Sequence, residues 1–326
     1  MTALLLASFL LDLLLGDPRF LPHPVVAMGR LITWGETLAA RARPGAGQRA
    51  AGVLLALSVT ALSGGTVYAL LFLARRLGYP YYVALQIYFL YTAQATRGLA
   101  AAALRVRRAL LRGDLSAARR LVGEVVGRDT AVLDETGVSR ATVETVAENT
   151  VDAVVAPLFY GFLGGAALAM AYRAVNTLDA MVGYNNERYR YLGWASARLD
   201  DLANYIPARL GGFLLSLSAA FTGRGAEAFS TMVAFGRRHP SPNSGVSEAA
   251  MAGALGVRLG GPVSYGGRLV EHPYLGGAAV EPGAEHIGKA VRLMVLAVGL
   301  GLAAAAAFAR LWPALWWRPV LSLFRL

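Results

Sequence analysis

The chain has 326 residues, of which 56% are hydrophobic and 16% charged, where a soluble domain usually carries about 25% charged residues. This apolar content excludes disorder. The absence of Cys excludes a disulfide scaffold and thiolate-held zinc or iron–sulfur sites, and four His leave little room for a His-rich metal site. The net charge of +11 rests on 31 basic residues, of which only Lys289 is Lys. They are spread over several segments, so they read as loops of a membrane protein and not as a nucleic-acid surface.

The expected class is therefore all-α: a polytopic integral membrane protein, one embedded domain over 1–326. It should have about four to six membrane-embedded helices, with amphipathic helices in the segments between them. In chain order, the first apolar run, 4–15, contains Asp12 and lacks the basic flank and small-residue cleavage site of a signal peptide. It reads as a span near 1–16 or a buried half-helix. Residues 50–74 form 25 positions without a charge and 77–96 a further 20, each meeting the roughly 20 residues that a span needs. Residues 97–112 then read as an amphipathic helix, with Leu99, Val106 and Leu110 among Arg105, Arg107, Arg108 and Arg112. Such a helix either lies on anionic lipid or packs with a solvated basic face.

Gly113-Asp114 reads as a helix stop followed by an N-cap, and 115–126 resumes apolar positions at helical spacing. The run 153–172 carries Pro157, Gly161, Gly164 and Gly165, and the run 210–223 has only 14 residues; both read as broken or re-entrant helices. The GPVSYGG stretch at 261–267 reads as a loop. A last span over 293–309 precedes Trp312, Trp316 and Trp317, which suit an interfacial aromatic belt. If the two broken runs do not cross, segments 16–49, 97–150, 173–209 and 222–292 share one side and hold 26 of the 31 basic residues. The positive-inside rule makes that side cytoplasmic.

Four stretches carry residues that packing does not require. GDPRFLPHP, 16–24, presents Asp17, Arg19 and His23 on a proline-stiffened backbone; a rigid connector with a solvated ion pair is the plainer alternative. In ETVAENTVDAVVAPL, 144–158, Glu144, Glu148 and Asp152 recur every fourth residue and stack on one helical face beside Asn149. Like charges there call for Arg, an ammonium or a divalent cation, and hard carboxylate oxygens suit Mg²⁺ with phosphates. A salt-bridge network with Arg173 would also answer them. The densest stretch, 173–209, holds Arg173, Asn176, Asp179, Tyr184, Arg188, Tyr189, Trp194, Arg198, Asp200, Asp201 and Asn204; Arg suits bidentate phosphate contacts. HPSPNSG, 239–245, places His239 and Asn243 before a helix start, a natural anion site. No Walker A, G-x-G-x-x-G or G-x-S-x-G pattern is present, so any nucleotide site is non-standard.

With GRDT at 127–130, these stretches resemble the adenosylcobinamide-phosphate synthase family of cobalamin biosynthesis (CobD/CbiB), over nearly the whole length. One departure is Asn185-Asn186, where the family pattern has a Lys shortly after the Gly-Tyr. The resemblance implies a multi-pass enzyme of the cytoplasmic membrane with its active site facing the cytoplasm. Its reaction would join the carboxylate of adenosylcobyric acid, a corrinoid, to 1-aminopropan-2-ol or its O-phosphate, consuming ATP with Mg²⁺. It also leaves room for a homo-oligomer or a complex with later cobalamin enzymes. Phosphoryl transfer needs Mg²⁺ on acids and Arg at phosphates, and the amine needs a general base. The base candidates are Glu148, His23 and His239. Metal candidates are Glu144, Glu148, Asp152, Asp179, Asp200 and Asp201. Substrate or nucleotide candidates are Asp17, Arg19, Arg128, Asp129, Asn149, Arg173, Asn176, Tyr184, Arg188, Tyr189, Trp194, Arg198, Asn204 and Asn243. A non-catalytic membrane sensor and a transporter are the alternatives; the acid stripe with the Arg-rich block favours an enzyme, and no inverted repeat supports a transporter.

The charge pattern predicts that a single Cys placed at Tyr191 in this Cys-free chain is shielded from an impermeant thiol reagent outside intact cells and reacts after permeabilisation. Labelling from outside would reverse the assignment of sides.

Overall fold

Apolar runs become helix almost throughout the computed structural model, which describes residues 1–18, 20–277 and 280–311. Arg19 and the tryptophans Trp312, Trp316 and Trp317 lie outside the described residues. Three helical stretches are long and apolar enough to cross a membrane, by length and composition: Ala46–Leu77, Glu135–Val182 and Ala284–Leu311. This is the expected all-α class. The helices group into two compact units that interleave along the chain, a division that the hydropathy pattern does not reveal.

Unit 1 contains α1 (Thr2–Leu15), α2 (Pro24–Ala39), α3 (Ala46–Leu77), α4 (Tyr79–Thr92), α8 (Ala156–Val182) and α9 (Trp194–Ala203). Helix α3 packs on α2, α4, α8 and α9. The runs near 1–16, read as a span or a buried half-helix, and 77–96, read as a span, form short helices. Helices α1 and α4 have 14 residues each, about 21 Å at 1.5 Å per residue, short of a hydrocarbon core of about 30 Å.

The run 153–172, read as broken or re-entrant, lies in the long helical stretch, which is interrupted twice. A π-helical turn, Val151–Val155, follows α7 (Glu135–Thr150). Inside α8, Gly164 and Gly165 leave helical geometry, and Gly165 has φ +67°, a conformation that a side chain disfavours. The break frees the amide of Ala166, which donates to Oε1 of the buried Gln86 of α4 at 2.9 Å; Nε2 of Gln86 donates to the Tyr82 hydroxyl at 3.0 Å. A buried glutamine thus supplies the partner that a broken helix lacks.

Unit 2 contains α5 (Thr96–Leu111), α6 (Leu115–Gly123), α7 with its π turn, α10 (Tyr205–Ala220), α11 (Gly225–Phe235), α12 (Ser244–Leu255) and the start of α13 (Ala284–Leu311). The stop and cap at Gly113-Asp114 form as expected: Asp114 accepts from the Ala117 amide at 2.8 Å. Asp134 caps α7 in the same way through Gly137, at 2.7 Å. Residues 261–267, expected to be loop, instead enter a hairpin of β2 (Val263–Tyr265) and β3 (Arg268–Val270). Its Gly266-Gly267 corner has φ +57° and +77°, the signature of a primed two-residue turn. A second short pair joins β1 (Leu259–Gly260) to β4 (Tyr274–Leu275). The core of unit 2 runs through α5, α7, α12 and α13, centred on Val106, Val143, Met251 and Met294.

In unit 1, Gly52 of α3 is packed so closely on the backbone of Leu192 that a β-carbon would overlap its carbonyl. Gly52→Ala should therefore destabilise the protein by about 1–3 kcal/mol, read as a lower Tm in detergent. Gly65→Ala, on the same helix with open space around it, should leave Tm nearly unchanged.

Candidate functional site

Helices α7 and α12 pack together in unit 2, and both carry acids into a largely apolar interior. Glu144 is 4% exposed and Glu248 is 5% exposed. Glu148, one turn beyond Glu144 on α7, is partly buried. Glu144 has two partners: Arg128 Nη2 forms an ion pair with Oε2 at 2.8 Å, and the Gly260 amide donates to Oε1 at 2.6 Å. One carboxylate thereby ties the 127–130 loop and β1 to α7. Burial works against the charge of Arg128, but Glu144 outweighs it and keeps the guanidinium pKa above its ordinary value.

The Ser244 hydroxyl, at the first residue of α12, donates to Glu148 Oε1 at 2.8 Å and orients that carboxylate. Glu248 sits one turn further along α12. Burial pushes its pKa well above the carboxylate range, and the charges of Glu144 and Glu148 push it further, against the pull of Arg128. Glu248 therefore favours its protonated form more strongly than an ordinary glutamate does, beside Glu144, Glu148 and the one guanidinium of Arg128.

The 236–243 loop closes on α12. Ser241 Oγ accepts from the amides of Asn243 and Ser244, at 3.3 and 3.2 Å. The Ser241 amide donates to His239 Nδ1 at 3.0 Å, which selects the Nε2–H tautomer and makes the free edge of this ring a donor. Burial, followed by His272, whose ring lies 5.9 Å away, lowers the His239 pKa and keeps the imidazole neutral. Asn243 is the N-cap residue of α12, but its Oδ1 accepts from Arg209 at 2.8 Å and not from the helix backbone.

Asp129 fastens the β2–β3 hairpin. Its carboxylate accepts from Gly267 and Gly266 amides at 2.7 and 3.0 Å and from Ser264 Oγ at 2.7 Å, and the Gly267 amide leads in lowering its pKa. The hairpin carries Tyr265, whose hydroxyl pKa is raised by burial and by the three glutamates, against Arg128. Asn149 turns its amide back onto Thr145 O at 3.0 Å. Asn204 is buried at the start of α10, and Asp152 lies in the π turn.

The other expected residues belong to unit 1. Glu36 of α2 receives Arg188 at 2.7 Å and the Tyr189 hydroxyl at 2.9 Å. Tyr184 lies 6.3 Å from the Tyr189 ring, and Arg49 lies over Trp194 at 5.5 Å. Tyr184 and Trp194 are 52% and 43% exposed. Arg198 and Asp201 form an exposed pair at 3.5 Å; burial raises the Asp201 carboxyl and Arg198 opposes this. Arg173 donates to Asn176 Oδ1 at 3.2 Å, and Asp179 and Asp200 lie on α8 and α9. His23, the N-cap residue of α2, sits 3.4 Å from Asp17.

The metal-candidate acids thus divide between the units: Glu144, Glu148 and Asp152 in unit 2, and Asp179, Asp200 and Asp201 in unit 1. Among the described residues no three acidic or His groups converge as the ligands of one metal ion. In unit 2 the three carboxyl groups Glu144, Glu148 and Glu248 outnumber the one guanidinium, Arg128, so a cation there would be held by one or two carboxylates and completed by phosphate oxygens. Sequence reasoning missed Glu248, Tyr265, His272 and Glu36. For Glu248 a signal was present, since it is the single acid in the helix SGVSEAAMAGAL and an acid in such a setting is a functional candidate.

These features define a helical membrane protein with a buried, charge-coupled carboxyl cluster. The pattern of the CobD/Cbib protein family matches residues 5–294. A cobalamin biosynthesis protein CobD of Geobacter metallireducens is 51% identical over 84% of this chain and 86% of its own length. A CobD of Listeria monocytogenes is 44% identical over 89% and 93%, and a CbiB of Salmonella typhimurium 44% over 91% and 93%. The chain belongs to the CobD/CbiB family of cobalamin biosynthesis proteins. No solved structure matches it.

Glu248→Gln imitates the protonated acid and tests this electrostatic account. As pH rises past the ordinary glutamate value of 4.5, the unfolded chain ionises at this position while the native protein keeps its proton. The wild type should therefore lose stability up to the raised native pKa. In EDTA-containing buffer, the stability of Glu248→Gln relative to wild type should increase as the pH rises above 4.5. A difference independent of pH would mean that Glu248 is ionised in the native state.

Proposed function

We propose that the chain is an ATP-dependent acid–amine ligase that joins adenosylcobyric acid to 1-aminopropan-2-ol or its O-phosphate. The observation that carries this reading is the cluster of Glu144, Glu148, Glu248 and Arg128 in unit 2, in a chain of this family. A carboxylate is a poor acyl donor and must be activated. The γ-phosphoryl group of ATP would pass to the corrinoid carboxylate, giving an acyl phosphate and ADP. The amine nitrogen then attacks the acyl carbon, the bond to phosphate breaks, inorganic phosphate leaves, and the amine proton goes to a base.

Glu148 suits the base, because Ser244 orients one of its oxygens and leaves the other to act. Arg128, positioned by Glu144, suits a phosphate oxygen. Glu248 would hold Mg²⁺ together with phosphates, and the ion would supply charge neutralisation at the transferring group. The Nε2–H of His239 suits donation to a phosphate or leaving-group oxygen. In unit 1, Arg198 with Asp201, Asp200 and Asp179 is a second candidate group for phosphate or metal. Tyr184, Tyr189 and Trp194 offer aromatic faces with polar tips, suited to a large amphipathic corrinoid at an open surface. ATP places the active side in the cytoplasm in this reading, and the bilayer is the protein's setting.

Purified protein should form the amide from adenosylcobyric acid, ATP, Mg²⁺ and one of the two amines. Glu148→Gln should lower turnover by about 10²–10⁴-fold while the variant keeps the wild-type Tm. Near-normal turnover in Glu148→Gln and Arg128→Met would overturn the site assignment. No amide with either amine would overturn the reaction itself.

A further inference from the structure

Arg107 of α5 is directed at the second turn of α13. A β-carbon on Gly288 would lie 3.2 Å from Arg107 Nε and 3.6 Å from Cζ, so the guanidinium rests on the helix backbone at this glycine. That Nε is buried and makes no hydrogen bond among the described residues. Arg292, one turn further along α13, turns back and donates from Nε to Gly288 O at 3.3 Å. Both arginine side chains thus contact one residue, Gly288, and the exposed Lys289 follows it in the chain.

Among the described residues none of these three cations has a carboxylate within ion-pair distance. The nearest acid along α13, Glu285, lies one turn before Lys289 but is not within ion-pair distance of it; its Oε1 lies 3.1 Å from His286 Nδ1, which accepts the Gly283 amide. Converging like charges in a partly buried setting repel, and an anion between them removes that cost. Arg selects phosphate through its planar fork of donors. Position along the helix selects the source of the phosphate: Arg292 is followed by the uncharged stretch 293–309 of a helix long and apolar enough to cross a membrane. Cations at that boundary lie at headgroup depth, where anionic lipids concentrate.

We propose that Arg107, Arg292 and Lys289 form a binding site for the phosphodiester of an anionic phospholipid, seated over Gly288. Gly288 has a function here, since its missing side chain leaves room for the Arg107 head against the helix. The site lies within unit 2 and uses none of the residues assigned to the proposed reaction.

The test uses the full-length protein in a neutral detergent, with thermal unfolding followed as lipid is added. Phosphatidylglycerol should raise Tm by roughly 4 °C at saturating concentration, whereas phosphatidylcholine and millimolar inorganic phosphate should raise it by less than a quarter of that. The double variant Arg107→Gln, Arg292→Gln should lose the phosphatidylglycerol shift while keeping the wild-type helical circular dichroism. Arg108→Gln with Arg112→Gln removes the same charge from exposed positions in the last turn of α5 and just beyond it and should keep the shift. Arg292→Gln alone, at an exposed position that cannot jeopardise folding, should weaken the apparent lipid affinity at least threefold. An undiminished shift in the site variants, or an equal shift with phosphatidylcholine, overturns the proposal. An equal shift with inorganic phosphate assigns the site to free anions and overturns its lipid source.

Discussion

The Arg128–Glu144 ion pair is the contact on which the candidate site depends. A buried carboxylate without a partner is costly, and a partnered one fixes whatever supplies the partner. Glu144 takes its partners from two distant stretches, the 127–130 loop through Arg128 and β1 through the Gly260 amide. It thereby registers both on α7. Glu148 follows one turn later and is oriented by Ser244, and Glu248 projects from the next turn of α12. Arg128 is drawn to Glu144, and Glu248, buried near the charges of both other acids, is the one whose protonated form is favoured.

A second pattern recurs where regular structure is interrupted. The break at Gly164-Gly165 is answered by the buried amide of Gln86, and the hairpin corner at Gly266-Gly267 by the carboxylate of Asp129. In both places one polar side chain receives backbone amides that would otherwise lack partners. The same accounting explains why Asp129 is better understood as the residue that positions Tyr265 and the hairpin than as a direct ligand for nucleotide. Its oxygens are occupied by Ser264, Gly266 and Gly267.

Unit 1 organises its polar groups differently. Glu36 gathers Arg188 and Tyr189, and the neighbouring aromatic rings and guanidiniums stack on one another near the surface. These contacts are shallower than those around Glu144, and they leave Tyr184 and Trp194 substantially exposed. Such a surface is adaptable and suited to a broad amphipathic ligand, while the buried carboxyl cluster is suited to placing a few atoms accurately.

Composition and periodicity determined the class of this protein. A helical membrane chain follows from 25 uncharged residues at 50–74 and from the scarcity of charge elsewhere. The motif strings marked the family, and the fourfold spacing put Glu144 and Glu148 on one face of α7. These features are local, so they survive without knowledge of what packs against them. The sequence could not determine which acids are engaged and which are open. Arg128 reaches Glu144 across 16 positions, Ser244 reaches Glu148 across 96 and Gly260 reaches Glu144 across 116. Nor did hydropathy show that α1 and α4 have only 14 residues each, or reveal that Glu248, alone on its helix, belongs with two acids from another. Burial and charge coupling set the chemistry of a carboxyl group, and both depend on neighbours that only the tertiary structure supplies.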